Sequence, residues 1–200
     1  MDFLKLVVAT QNPGKIREIR EILKGLNYVV IPISELYPDF EVEEDGQTYA
    51  ENASKKAIAA ARLTGLMALA DDSGLEVKAL GGAPGLFSAR FGGKSLPQSE
   101  KNRLILESLK GVSDRSARFV CVVAVATPEG QVKTAEGICE GSIGFKEQGD
   151  GGFGYDPIFI VEGYQKTMAE LEPEIKNKIS HRARALKKIR EILSSLQSTF

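Results

Sequence analysis

Apolar positions along the chain follow two periods, one typical of strands and one typical of helices. Leu4 to Ala9 is a short apolar run, which predicts a buried strand, and apolar residues between Ile16 and Leu23 then recur at helical spacing. A second run, from Tyr28 to Ile33, predicts another strand. The chain therefore opens as a strand, a helix and a strand, the order of a βαβ unit with at least one parallel strand pair.

Two further helices are predicted from local signals. Thr48 and Glu51 have the spacing of a capping box, and an alanine-rich stretch follows from Tyr49 to Leu63. Gly65 lies two residues after Leu63, and a glycine at that place commonly ends a helix. Another helix is predicted over Ser99–Leu109.

The second half of the chain changes to apolar runs separated by turn residues, a pattern typical of antiparallel strands. Strands are predicted over Phe119–Ala126, Val132–Cys139, Ile143–Phe145 and Pro157–Val161. A last helix is predicted because four apolar residues share one helical face: Leu186, Ile189, Leu193 and Leu196. We therefore expect an α/β fold with a mixed sheet and flanking helices, in a single domain over residues 1–200.

Composition narrows the class of protein. The 200 residues are 42% hydrophobic and 26% charged, and the net charge of -1 offers no surplus of cations for binding nucleic acid or a membrane surface. Cys121 and Cys139 lack metal-ligand spacing and lie in apolar stretches, so we expect buried thiols. The sequence shows no leader and no apolar run of membrane-spanning length, so we expect a cytoplasmic protein.

Two adjacent acids follow an apolar run. Leu66 to Leu69 predicts a strand, and the segment Ala70–Gly74, which contains Asp71 and Asp72, predicts the end of that strand and a glycine turn. Carboxylates at a strand end are well placed to hold a metal ion or a water molecule, because ligands of α/β proteins bind at that edge of the sheet. The alternative is an acidic turn whose carboxylates only cap neighbouring backbone amides.

A loop between the first strand and the first helix has the features of an anion site. It consists of Thr10, Gln11, Asn12, Pro13, Gly14 and Lys15. Backbone N–H groups and the positive end of the helix favour a phosphate there. The loop is not a Walker A motif, because Ala9 and Ile16 stand where a glycine and a Ser or Thr are required. A plain strand-to-helix turn with a surface lysine is the alternative.

An acidic segment precedes the alanine-rich helix and supplies a second carboxylate. Glu44 and Asp72 offer the oxygen ligands that Mg2+ prefers, and Lys15 and Lys56 offer positive charge to phosphate oxygens that the metal leaves uncovered. Each of these side chains alone is typical of a solvated surface. Their combination supports the hypothesis of a magnesium cofactor.

A second glycine-rich loop, Gly151–Pro157, carries two aromatic residues. Its glycines allow close approach of the backbone, and Phe153 and Tyr155 offer faces on which a base could stack. A turn with core aromatics is the alternative. Hydrogen-bond donors gather near the last helix, at Lys176, Ser180, His181 and Arg182. With no Ser or Cys nucleophile motif nearby, we interpret His181 as a donor to a ligand and not as a catalytic base.

Several ordered blocks, spanning nearly the whole chain, share one likeness. They are Thr10–Lys15, Glu51–Ala53, Ala70–Leu75, Gly81–Gly85, Ser88–Arg90, Gly152–Pro157 and Ser180–Arg182. Together they closely resemble the inosine/xanthosine triphosphate pyrophosphatase family, which removes non-standard purines from the nucleotide pool. The resemblance implies a magnesium-dependent homodimer with an elongated α/β fold, two lobes and a central nucleotide cleft. It also implies conversion of ITP, dITP or XTP to the monophosphate and pyrophosphate.

The resemblance further implies roles for individual residues. Residues 10–15 and Lys56 would hold the triphosphate, Glu44 and Asp72 would hold Mg2+, Asp72 would also act as the catalytic base, and Ser73 would contact the substrate. The residues implied to enclose and recognise the base are Phe153, Gly154, Tyr155, Asp156, Lys176, His181 and Arg182.

The match to the family pattern departs at two places. Phe87 stands where relatives often have Tyr, and the acidic segment aligns loosely, so either Glu43 or Glu44 is the implied metal ligand.

Two other functions also stay open: a pyrophosphatase for modified pyrimidine nucleotides and a non-catalytic nucleotide sensor. Hypoxanthine and xanthine share a 6-oxo group that accepts hydrogen bonds where adenine has a donating amine, so donors aimed at that oxygen would reject adenine.

Overall fold

The computed structural model describes residues 3–93 and 95–197 of the protein. Its longer elements follow in chain order: β1 Leu4–Val8, α1 Pro13–Leu23, β2 Tyr28–Pro32, α2 Ile33–Leu36, α3 Tyr49–Thr64, β3 Met67–Val77, α4 Gln98–Ser108, β4 Ser116–Ala126, β5 Val132–Ile143, β6 Phe159–Val161, α5 Pro173–Ile179 and α6 His181–Gln197. Short 3-10 helices lie at Lys78–Leu80, Gly85–Arg90, Asp156–Ile158 and Met168–Glu170.

The strands form one six-stranded sheet in the order β2-β1-β3-β4-β5-β6. β1 pairs in parallel with β2, where Leu4 lies opposite Tyr28, and in parallel with β3. β5 pairs antiparallel with β6, where Ile143 lies opposite Phe159. The predicted α/β class, with a parallel pair at the start and antiparallel pairing in the second half, is confirmed.

Helix α3 forms where the local signals predict it. The Thr48 side chain accepts a hydrogen bond from the Glu51 backbone N–H at the first turn, and Gly65 ends the helix with a left-handed φ of 66°. A glycine adopts that conformation without the steric cost that a Cβ brings.

The predicted strand end after Ala70 is wrong. β3 continues to Val77, so Asp71, Asp72, Ser73 and Gly74 lie within a strand. Asp, Ser and Gly favour turns when they act alone, but β3 lies beside β4 in the sheet, and strand pairing outweighs local preference. The acidic-turn alternative is thereby excluded.

Two strand boundaries in the second half also differ from the prediction. The two strands expected over 132–139 and 143–145 are one strand, β5. β6 begins only at Phe159, because the preceding residues, Asp156–Ile158, form a 3-10 turn. The second residue of that turn is Pro157.

Internal contacts divide the chain into two compact units. Unit 1 consists of residues 1–72, 121–137 and 182–200, and unit 2 consists of residues 73–120 and 138–181. The expected single domain over residues 1–200 stays a prediction.

Unit 1 is layered, with helices on both faces of its strands. One apolar cluster joins β1 residues Leu6 and Val8 to α1 and α6, and the other joins Val7 and Ala9 to α3. Successive strand residues point to opposite faces, which explains why one strand feeds both clusters. The predicted face of the last helix is confirmed at Leu186, Ile189 and Leu193, which are fully buried, whereas the side chain of Leu196 lies outside the described residues.

Unit 2 buries one face of its strands against α4. Its apolar cluster includes Leu75, Phe119 and Phe159 from the strands and Ile105 and Leu109 from α4 or its end. A cavity of about 760 Å3 in this unit is lined by both polar and apolar residues, and among the described residues none predicted to bind substrate lines it.

Two further expectations concern cysteines and membrane segments. Cys121 and Cys139 are free and buried, as predicted, and burial raises the pKa of the Cys121 thiol to about 12. Within residues 3–93 and 95–197, no helix combines the length and the apolar character needed to cross a membrane.

Candidate active site

The loop between β1 and α1 is ordered by its own side chains. The Asn12 side chain caps α1 by accepting a hydrogen bond from the Lys15 backbone N–H at 3.1 Å, and Pro13 occupies the first helical position. The Thr10 hydroxyl accepts from the Asn12 backbone N–H at 3.2 Å. Gly14 is buried, and Lys15 leaves the first turn of α1 with its side chain largely covered. The predicted anion loop is thus a capped helix N-terminus that carries a lysine.

Gln11 connects this loop to a later part of unit 1. Its Nε2 donates to the carbonyl oxygens of Pro38 and Phe40, each at 3.2 Å. Residues 38–40 lead into the acidic segment, so Gln11 ties the anion loop to the chain that carries Glu44.

A buried chain of ion pairs joins α1, β3 and α6. Lys15 Nζ lies 3.0 Å from Asp71 Oδ2, and Arg182 Nη2 lies 3.0 Å from the same oxygen. Arg182 Nη1 donates to Glu18 Oε2 at 2.8 Å, and the guanidinium is almost fully buried. The structure therefore brings together two of the residues predicted for substrate binding, Lys15 and Arg182, on the Asp71 carboxylate.

Electrostatics keep Asp71 ionised in this chain. Burial alone would raise the pKa of Asp71, but the charges of Lys15 and Arg182 hold it far below its ordinary value. Burial would lower the pKa of the Arg182 guanidinium, but the Asp71 and Glu18 carboxylates raise it above its ordinary value. Such a pair tolerates burial only while each charge keeps its partner.

A second cluster lies around Lys56 on α3. Its Nζ lies 2.5 Å from Glu44 Oε1 and 4.0 Å from Asp72 Oδ1. Asn52, one turn earlier on α3, donates from Nδ2 to Asp72 Oδ2 at 3.0 Å. The predicted Glu44, Lys56 and Asp72 are thus brought together, and this geometry favours Glu44 over Glu43 as the acid of the site.

The pKa values of Asp72 and Lys56 are both raised, but for different reasons. Burial raises the pKa of Asp72, and the nearby Lys56 ammonium only partly opposes it. Burial would lower the pKa of Lys56, but Asp71, Asp72 and Glu44 raise it above its ordinary value. Lys56 is therefore a cation at neutral pH that two carboxylates share.

The donor set fits a magnesium ion better than a metal held by protein alone. Within the described residues no group of three or more His, Cys, Asp or Glu side chains is placed to hold a metal. Mg2+ commonly takes one or two carboxylates and completes its shell with water and phosphate oxygens. Glu44 and Asp72 supply two such carboxylates and already share one positive charge.

Taken together, the two ion-pair groups of unit 1 contain more acids than cations. The acids are Glu18, Glu44, Asp71 and Asp72, and the cations are Lys15, Lys56 and Arg182. A triphosphate approaching these carboxylates meets repulsion, which a divalent cation would remove.

In unit 2 the second glycine-rich loop closes around Asp156. Asp156 Oδ2 accepts from the Phe153 backbone N–H at 2.8 Å and from Lys176 Nζ at 2.6 Å. The Lys176 ammonium also lies 4.7 Å from the centre of the Phe153 ring. At Gly152 a Cβ would lie 2.1 Å from Asp156 Oδ2, so only glycine admits this approach.

Backbone carbonyl groups hold the rest of this loop. Buried Tyr155 donates from its hydroxyl to the Ser88 carbonyl at 2.8 Å, and burial raises its pKa to about 12. Asn102 on α4 donates to Glu147 Oε1 at 2.6 Å and, more weakly, to the Gly154 carbonyl at 3.4 Å.

Two further predicted residues of unit 2 are Ser73, in strand β3, and His181, the last residue of the unit. Ser73 is half-buried in β3. His181 is 5% exposed, and its ring stacks on Phe119 with 4.6 Å between ring centres. His181 and Arg182 are neighbours in sequence but belong to units 2 and 1 respectively.

Sequence reasoning gave no role to several buried polar residues, among them Glu18, Asn52 and Asn102. Glu18 resembles the exposed charges around it on α1, and its cationic partner is 164 positions away. Asn52 carried a usable signal, because an amide on the alanine-rich face of α3 needs hydrogen-bond partners when it is buried.

The fold and the clusters of unit 1 define an α/β protein with a charged site suited to a phosphorylated ligand. Sequence comparison defines the class more closely, because residues 6–192 match the model of the Ham1 family. The chain belongs to the Ham1 family.

Individual relatives agree with this assignment. A dITP/XTP pyrophosphatase of Desulforamulus reducens is 56% identical over 196 residues, covering 96% of this chain and 97% of the relative. A HAM1 protein from Coxiella burnetii superimposes with a TM-score of 0.88 at 44% identity, covering 96% of this chain and 100% of that chain. The Staphylococcus aureus Ham1 protein gives a TM-score of 0.86 at 43% identity, covering 96% and 98%.

Proposed function

We propose that the protein hydrolyses non-standard purine nucleoside triphosphates, such as ITP, dITP and XTP, to the monophosphate and pyrophosphate. The observation that carries the proposal is the convergence of Glu44 and Asp72 on the Lys56 ammonium, next to Asp71, which pairs with Lys15 of the capped loop. The name of the Desulforamulus reducens relative, dITP/XTP pyrophosphatase, supports this substrate class.

In this proposal unit 1 binds the phosphates. Glu44 and Asp72 would hold Mg2+, which would supply positive charge to the phosphate oxygens and to the leaving pyrophosphate. Thr10, Gln11, Asn12, Pro13 and Gly14 present the start of α1 to the phosphates. Lys15 and Lys56 add positive charge where the transition state gathers negative charge.

Asp72 is the proposed base. Its carboxylate accepts a proton from a water molecule as the water oxygen attacks the α-phosphorus. The bond from the α-phosphorus to the oxygen that bridges it to the β-phosphorus then breaks, and pyrophosphate leaves with the bonding electron pair. Burial raises the pKa of Asp72, which makes it a better proton acceptor than an exposed aspartate.

Unit 2 supplies the proposed base recognition. Phe153 is half-buried, so part of its ring is open for stacking on a purine, and Lys176 lies against that ring. Ser73, Gly154, Tyr155, Asp156 and His181 complete the proposed set in unit 2, and the role of Arg182 in base recognition stays a prediction. Donors that face the 6-oxo group of hypoxanthine or xanthine would meet the amine of adenine, leaving buried donors unpaired and adenine rejected.

The same proposal includes a homodimer that acts on the cytoplasmic nucleotide pool. Light scattering of the purified protein tests the assembly, and a monomer at micromolar concentration would remove that part of the proposal.

The decisive experiment measures pyrophosphate release from ITP, XTP, GTP, ATP and modified pyrimidine triphosphates, with and without Mg2+. We expect magnesium-dependent release that is fastest with ITP and XTP. Equal rates for all purines would contradict the selectivity, and a preference for pyrimidines would indicate the related pyrophosphatase activity. Tight binding without release would indicate a nucleotide sensor.

A further inference from the structure

Asn52 is a buried side chain of unit 1 that the proposed reaction does not use. It lies in the first turns of α3 and is 2% exposed. A buried amide is costly unless its donor and acceptor are both satisfied.

Both ends of the Asn52 amide are engaged. Nδ2 donates to Asp72 Oδ2 at 3.0 Å, and Oδ1 accepts from the Gly46 backbone N–H at 2.8 Å. A flipped amide would set two acceptors against each other at Asp72 and two donors at Gly46. The hydrogen bonds therefore fix the orientation of Asn52.

Gly46 is shaped for this contact. A Cβ at position 46 would lie 2.6 Å from Asn52 Oδ1 and 2.9 Å from Glu51 Cβ. Any other residue would push the acidic segment away from α3, because real Cβ atoms do not approach so closely. The glycine is required for the backbone to reach Asn52.

Other bonds attach the same segment to the same helix. Asp45 pairs with Lys55 and Glu44 with Lys56, each at 2.5 Å, and the Gln47 backbone N–H donates to Glu51 at 2.6 Å. Lys56 also approaches β3, at 4.0 Å from Asp72 Oδ1, but Asn52 makes a hydrogen bond of 3.0 Å to that carboxylate. Among these described contacts, Asn52 is the uncharged side chain that bonds both to the Glu44 segment, at the Gly46 N–H, and to the Asp72 carboxylate.

We propose that Asn52 is a positioning residue that fixes the separation between the Glu44 segment and the Asp72 carboxylate, the two candidate ligands of the divalent cation. The inference deepens the proposed function and rests on it for the identity of the cation. Asn52 acts through Asp72 and Gly46, and it makes the divalent-cation site ready before the cation binds. Partners that orient metal ligands typically contribute about 10- to 100-fold to metal affinity.

The test compares N52A with the wild-type protein in two measurements. Calorimetric titration with Mg2+ alone measures cation affinity, and pyrophosphate release from ITP measures the Mg2+ concentration for half-maximal turnover. We expect N52A to weaken both by about 10-fold or more. We expect the KM for ITP at saturating Mg2+ to change much less, because Asn52 makes no proposed contact with the nucleotide.

G46A breaks the same contact from the other side and serves if N52A does not fold. We expect the two substitutions to be non-additive, so that the double variant is no weaker in Mg2+ binding than the weaker single variant. Additive losses would show that the two residues act separately and would overturn the proposal.

N102A is the matched control, because Asn102 is also 2% exposed on a helix but bonds to Glu147 of unit 2. We expect N102A to lose stability while its Mg2+ affinity stays that of the wild type. Equal weakening in N52A and N102A would mean that any buried amide matters equally, which sinks the idea. Wild-type Mg2+ binding without pyrophosphate release would defeat the proposed function, while the calorimetric comparison would still decide the role of Asn52.

Discussion

Units 1 and 2 hold their site residues by different kinds of interaction. In unit 1 the candidate residues are joined by side-chain ion pairs, with Asp71 shared by Lys15 and Arg182 and Lys56 shared by two acids. In unit 2 the glycine-rich loop has one buried ion pair, Asp156–Lys176, and is otherwise held by hydrogen bonds with backbone groups, such as the Ser88 carbonyl that accepts from Tyr155.

The difference matches the chemistry of each part of a nucleotide. Phosphates and a divalent cation are recognised by charge, which pairs of acids and bases can balance before the ligand binds. A purine is recognised by its flat surface and by the direction of its hydrogen bonds, which a shaped loop provides. Four substitutions test whether this division holds, beginning with the largest expected effect.

D71N is expected to be the most damaging substitution in the charged unit. It removes the carboxylate that Lys15 and Arg182 share and leaves a buried guanidinium with Glu18 as its remaining ionic partner. Breaking a buried pair in this way costs about 3–5 kcal/mol of unfolding free energy, measurable by urea denaturation at pH 7.

The pH dependence of this loss has a definite sign. The pKa of Asp71 is lowered in the folded protein, so its stabilising contribution is complete above the unfolded pKa of about 3.9 and declines as the pH falls below it. The gap between wild type and D71N should therefore narrow in acid. E35Q, which breaks the exposed Arg20–Glu35 pair, is the control and should cost under about 1 kcal/mol; a similar cost for both variants would contradict a special role for burial.

D72N is expected to remove the chemistry while leaving the fold. The amide cannot take the proton of the attacking water and is a poor ligand for Mg2+, so turnover of ITP at saturating Mg2+ should fall about 100-fold or more. D114N removes an exposed acid of unit 2 that pairs with Lys78, and it should leave turnover unchanged. Near-normal turnover of D72N would remove Asp72 from the reaction.

F153A tests the base-recognising side of the comparison. Loss of a stacking surface is worth about 1–3 kcal/mol, so the KM for ITP should rise by about 10-fold. F145A is the matched control, since Phe145 also lies over a cation, Arg115, but is 84% exposed and outside the proposed site. If both variants raise KM equally, Phe153 has no stacking role.

Y155F gives the smallest effect and probes how the loop is held. It removes the hydrogen bond to the Ser88 carbonyl, which should lower the free energy of unfolding by about 0.5–1.5 kcal/mol in urea titrations. Y164F changes a tyrosine that is 41% exposed and should fall within about 0.5 kcal/mol of wild type. An unchanged Y155F protein would show that this bond does not stabilise the loop.

Helix α3 and strand β3 show what sequence could and could not predict. The bounds of α3 follow from Thr48, Glu51 and Gly65, which act within a few residues, and they were predicted to within one residue. The course of β3 through Asp72 depends on its neighbouring strands, which no local pattern contains. The prediction failed there because Ser73 and Gly74 favour a turn only when pairing does not oppose them.

The candidate site divides in the same way. The convergence of Glu44, Lys56 and Asp72 was predicted from ligand chemistry and from family resemblance, and the structure brings these side chains together. The Glu18–Arg182 bond joins residues 164 positions apart, so Glu18 could not be distinguished from an ordinary surface acid of an amphipathic helix. The sequence therefore did not predict the long-range partners of buried charges.

The division of the chain has a consequence for protein synthesis. Unit 1 begins first, but its last stretch starts at residue 182, whereas every residue of unit 2 has been made by residue 181. Until α6 has been translated, Glu18 lacks its guanidinium and the apolar faces of β1 and α1 lack Leu186 and Ile189. On the ribosome, unit 2 therefore has all of its residues before unit 1 does. Until α6 is made, apolar residues of unit 1 stay exposed and accessible to chaperones.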